Sequence, residues 1–142
     1  MNTSSFATVN PSTGEQIERF SFYNASQTEE VLVRADKRFQ SFRKLSVHKR
    51  AQLFSNLAEA LRKNRGRLAK VITTEMGKIT SEAEAEVEKC AHEADWYAEH
   101  GPRMLADEPA PTGAINAYVS YLPLGPILAV MPWKRGSVRW IA

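Results

Sequence analysis

Pro123-Leu124-Gly125-Pro126-Ile127-Leu128-Ala129-Val130-Met131-Pro132-Trp133 is the stretch that decides the fold class. Ile127–Met131 is a continuous apolar run with no alternation. A run that short, apolar on both faces, suits a strand buried in a parallel sheet. A parallel neighbour needs a crossover of a dozen or more residues and then another strand. Only 11 residues follow Met131. The expectation is therefore an α/β sheet that starts here and is left incomplete.

Upstream of that run the period is two. Ile115, Ala117, Val119 and Tyr121 alternate with Asn116, Tyr118 and Ser120, which predicts a half-exposed strand over Ile115–Tyr121. A loop rich in Pro and Ala, Glu108–Gly113, separates it from a helical half.

In that half the fourth helix is the clearest. Ser81 and Glu84 read as a capping box, and Ala83, Val87, Cys90, Ala91, Ala94, Tyr97 and Ala98 line one stripe until Gly101-Pro102 ends it. Glu82, Glu86, Lys89, Glu93 and Glu99 occupy the other face. Before it, Leu68 to Met76 reads as a short third helix stopped by Gly77, a left-handed cap. A second helix starts near Ser46, with Ala51, Phe54, Leu57, Ala58 and Leu61 on one face. A first opens on a Ser26/Glu29 capping box and carries Val31, Leu32, Ala35, Phe39 and Phe42 at helical spacing. At the N-terminus, Phe6–Asn10 and Gln16–Phe20 flank Asn10-Pro11-Ser12-Thr13-Gly14, a hairpin turn by its residue types.

With 142 residues, 43% of them hydrophobic, the chain is one domain able to bury a core. No apolar run approaches the roughly 18 residues of a membrane span, and Met1–Ser5 starts no signal-peptide h-region. The single cysteine excludes a disulfide framework and a Cys-rich zinc site, and fits a reducing compartment. Charge is uneven: residues 1–70 hold 13 Lys/Arg and 6 Asp/Glu, residues 71–142 hold 6 and 10. Such asymmetry marks either a nucleic-acid face or one helical surface paired with another.

Few residues offer chemistry. Cys90 sits on an apolar stripe, where a thiol behaves as a small hydrophobe with a raised pKa. His48, His92 and His100 are scattered, and His92-Glu93-Ala94-Asp95-Trp96 has Trp where a zinc-binding helix needs its second His. Arg34, Lys37, Arg38, Arg43, Lys44, Lys49, Arg50, Arg62, Lys63, Arg65, Arg67 and Lys70 fall on three helices. Phosphate binding needs them on one surface. They show no aromatic interleaving and no helix-turn-helix turn, so a small basic nucleic-acid-binding module is an alternative and not the main expectation.

Asn10-Pro11-Ser12-Thr13-Gly14-Glu15, Glu75-Met76-Gly77-Lys78, Glu86-Val87-Glu88-Lys89 and Pro123–Trp133 together resemble the N-terminal third of an aldehyde dehydrogenase. Asp95–Pro102 followed by Met104-Leu105 and Glu108-Pro109 resembles the bacterial succinate-semialdehyde dehydrogenases. The resemblance runs from about residue 6 to residue 133. It implies NAD(P)-dependent oxidation of an aldehyde to an acid, in which a cysteine thiolate attacks the carbonyl, hydride leaves to nicotinamide, and a glutamate-activated water hydrolyses the thioester.

Residue by residue, the resemblance matches Val130, Met131, Pro132 and Trp133 to positions lining the cofactor's ribose and phosphates, at the carboxyl end of a strand where open α/β sheets bind ligands. It assigns no catalytic residue and no metal ligand, because the matching Cys and Glu lie downstream and Cys90 matches neither in context nor in position. After Trp133 the family has an oxyanion-binding Asn and a Phe-Pro helix start. This chain has Lys134-Arg135-Gly136-Ser137-Val138-Arg139-Trp140-Ile141-Ala142, which reads as an aberrant tail.

The resemblance therefore implies an α/β aldehyde dehydrogenase-like fold, truncated. The chain would be mostly α-helical, with an N-terminal hairpin and two C-terminal strands of an incomplete sheet. Residues 1–113 would be the helical part of the cofactor-binding domain, 114–122 a subunit-bridging strand, 123–133 the first strand and Pro-Trp turn of the dinucleotide sheet, and 134–142 the tail. It further implies a cytoplasmic, oligomeric parent acting on a small aldehyde, a fragment inactive alone that does not hold NAD or NADP, and a second possibility of docking on aldehyde dehydrogenase subunits through Ile115–Tyr121. Apolar helix stripes and the 127–131 run are expected to be exposed.

Overall fold

The computed structural model describes residues 5–113 and 116–130. Strands β1 (Ser5–Val9) and β2 (Gln16–Ser21) form an antiparallel hairpin with Phe6 opposite Phe20. Asn10 makes the turn. Its carbonyl accepts from the Gly14 N–H (2.8 Å), its N–H donates to the Glu15 carbonyl (2.9 Å), and its Oδ1 accepts from the Ser12 N–H (2.9 Å). Gly14 takes φ +75°, a conformation glycine adopts without strain. Phe6 stacks on Phe20 with ring centroids 5.3 Å apart and lies 5.4 Å from Phe22.

Four helices follow: α1 (Ala25–Phe42), α2 (Val47–Lys63), α3 (Arg65–Met76) and α4 (Thr80–Met104). The expected capping box of α1 is present two residues earlier. Asn24 Oδ1 accepts from the Gln27 N–H and Gln27 Oε1 accepts from the Asn24 N–H, both at 2.9 Å. Asn is as good an N-cap as Ser, and Asn24-x-x-Gln27 satisfies both orphan donors. Ser46 caps α2 as expected, its Oγ accepting from the Lys49 N–H at 3.3 Å. Asn64 forms the corner between α2 and α3 and donates through Nδ2 to the Ala60 carbonyl at 2.8 Å. The third helix begins at Arg65, three residues before the expected Leu68, and ends at Gly77 with φ +69°.

The fourth helix departs from expectation at both ends. Ile79 occupies its N-cap without a side-chain hydrogen bond, so Ser81 and Glu84 form no capping box. The helix also runs through Gly101-Pro102 to Met104, with the Leu105 N–H donating to the Gly101 carbonyl at 3.1 Å. Only two residues follow Pro102 in the helix, so the proline disturbs just the final turn.

The core lies where α4 crosses α2 and α3, the two most extensive helix contacts. Ala58, Ala91 and Ala94 are fully buried and meet at one seam flanked by Phe54 and Leu61, and Ala83, Val87, Cys90 and Ala69 complete the interior. The predicted α4 stripe is thus covered from Ala83 to Ala94, while Tyr97 stays exposed at its C-terminal end. No large side chain among the described residues is fully buried. Across the same interface Arg62 Nε donates to Glu88 Oε1 (2.9 Å) and its Nη1 to Asp95 Oδ2 (2.7 Å), while Arg65 lies 3.8 Å from Glu84. The side chains of the two Arg62 pairs are about two-fifths exposed, so these pairs add little stability. Lys78 pairs with Glu86 at the start of α4.

By contrast, α1 has no buried residue and touches the other helices only slightly. Beyond α4, β3 (Glu108–Pro109) pairs antiparallel with β4 (Tyr118–Val119), and the Tyr121 hydroxyl donates to Glu108 Oε1 at 2.8 Å. Among its described residues, the alternating stretch therefore contributes a strand only at 118–119. Residues 127–130 form no strand. A parallel strand exists through its neighbours' hydrogen bonds, and no described strand pairs with this one. The result is mostly helical with small incomplete sheets, as expected, though the second C-terminal strand is not formed over 127–130. Met131 and the tail 134–142 lie outside the described residues, as does Ile115.

Candidate functional site

Of the four positions matched to cofactor contacts, the structure describes one. Val130 lies in irregular chain and is 85% exposed, continuing an apolar surface with Leu124, Ile127 and Leu128. Met131, Pro132 and Trp133 lie outside the described residues. A dinucleotide requires a strand end facing a helix N-terminus. The described residues around Val130 supply neither, so they do not by themselves build a cofactor cradle.

Cys90 is 3% exposed on the core face of α4 between Val87, Ala91 and Ala94. A reacting thiol needs access to its substrate, and burial on this face makes Cys90 a packing position. The histidines do not converge. His100 stacks on Trp96 with centroids 4.6 Å apart, and its Nδ1 lies 3.0 Å from the Trp96 carbonyl oxygen. Among the described residues no group of three or more His, Cys, Asp or Glu could hold a metal ion.

The charge asymmetry resolves into two parts. Arg62, Arg65 and Lys78 face carboxylates of α4, and the Glu88 and Asp95 hydrogen bonds hold the Arg62 guanidinium above its ordinary pKa. Glu108 likewise raises the Tyr121 hydroxyl by accepting its hydrogen bond. The cations of α1 and the α1–α2 turn are not drawn into these pairs. Next to them lies an open groove of about 500 Å³, formed by Ala35, Phe39, Phe42 and Leu45 with Arg38 at its edge, and closed by Gly125 and Pro126. Sequence spacing missed this groove because its far wall comes from residues some 80 positions downstream.

The model of the aldehyde dehydrogenase family matches residues 1–136. This chain belongs to the aldehyde dehydrogenase family. It is 42% identical over 126 residues to succinate semialdehyde dehydrogenase [NAD(P)+] of Escherichia coli, covering 89% of this chain and 27% of that protein. Its structure superposes on that of Gox0499 with a TM-score of 0.89 at 27% identity, covering 94% of this chain and 30% of the other. It also superposes on succinic semialdehyde dehydrogenase from Streptococcus pyogenes, solved with NADP+, with a TM-score of 0.73 at 32% identity, covering 80% and 25%. The aldehyde dehydrogenase chain described here thus spans less than a third of the length of the curated relatives it matches.

Proposed function

We propose that this chain forms the N-terminal part of the cofactor-binding half of an NAD(P)-dependent aldehyde dehydrogenase, cytoplasmic and acting on succinate semialdehyde, and that the 142-residue polypeptide turns over no aldehyde by itself. The substrate reading is supported by the 42% identity to relatives named for that aldehyde. In this reading residues 1–113 supply the helical layer, 114–122 a subunit-bridging strand, 123–133 the first strand of the dinucleotide sheet with Val130, Met131, Pro132 and Trp133 toward the cofactor, and 134–142 a tail of no assigned role.

One observation carries the inactivity: the only thiol in the sequence, Cys90, is buried in the α2–α4 interior. Covalent aldehyde oxidation needs a thiolate that reaches the carbonyl and a general base beside it. Cys90 cannot reach a carbonyl without opening the core. The test is reduced-nicotinamide formation from succinate semialdehyde with NAD or NADP, run beside titration of the native thiol with a chromogenic disulfide. No turnover and slow thiol reaction are expected. Turnover that disappears in Cys90→Ala would overturn the reading.

A second reading has its own support. Tyr118 and Val119 are exposed, and among the described residues β4 has a partner on one side only. An open edge of this kind adds a strand from another chain. Docking on full-length aldehyde dehydrogenase subunits through this edge predicts co-purification with a full-length subunit, abolished by Val119→Pro.

A further inference from the structure

We draw no further inference here: the strongest candidate, the exposed aromatic patch of Phe6, Phe20 and Phe22 on the β1–β2 hairpin, is an unpartnered apolar face, and nothing in the structure shows what covers it.

Discussion

Val87→Ala and Val33→Ala remove the same two methyl groups from the interiors of two helices, yet they are expected to differ sharply. Val87 is 3% exposed on the core face of α4, whereas Val33 is 57% exposed on α1. At about 0.8 kcal/mol per buried methyl-sized group, complete burial makes the pair worth about 1.6 kcal/mol. Nearly all of that applies at Val87, with a further contribution from the cavity left beside Cys90 and Ala91. Less than half applies at Val33, where nothing closes over the gap. Alanine's better helix propensity favours both variants equally and cancels in the comparison. Val87→Ala should therefore be less stable than Val33→Ala by about 1–2 kcal/mol. That corresponds to a melting temperature about 2–8 °C lower for a chain of this size. Urea unfolding followed by far-ultraviolet circular dichroism measures the difference directly. Equal midpoints would refute the placement of the core on α4 and the picture of α1 as an unburied helix.

Gly77→Ala should destabilise the chain by about 1–2 kcal/mol in the same assay, because φ +69° disfavours a side chain and the new Cβ would sit 3.2 Å from Pro11 Cγ. Asn24→Ala removes the N-cap of α1 and about 1 kcal/mol of local stability. Since α1 is barely packed, faster amide exchange over residues 25–28 should report the loss, with little change in the global midpoint. Tyr121 should ionise above the ordinary tyrosine range because Glu108 accepts a hydrogen bond from its hydroxyl. The hydrogen bond's stabilisation is complete below the unfolded tyrosine pKa near 10 and is lost as pH rises through the higher folded value. Phenolate absorbance should show one late-titrating tyrosine, and Glu108→Ala should remove it.

Much of the helical half was legible because its signals are local. The Asn10–Gly14 turn, the Ser46 cap, the Gly77 stop and the α4 stripe each depend on residues within a few positions of one another. Reading failed where two local patterns overlapped, as at Asn24/Gln27 and Ser26/Glu29, one motif offset by two residues. It failed again where a penalty near a helix end was too small to stop it, as at Pro102. Ile127–Val130 illustrates the non-local limit: its composition suits a buried strand, but strand geometry comes from partners that no described residue supplies. The groove was invisible for a similar reason, since Phe39 and Pro126 meet only in three dimensions.

The seam of Ala58, Ala91 and Ala94 divides labour between two kinds of chemistry. Methyl groups let α2 and α4 approach closely, but they offer no interlocking shape to oppose sliding along the axes. Beside the larger Phe54 and Leu61 at its flanks, Arg62 opposes that sliding from the surface, spanning Glu88 and Asp95, two positions about two helical turns apart on α4. The bundle is thus spaced by its interior and indexed from its surface. Raising ionic strength weakens the surface contacts and leaves the methyl seam as it is.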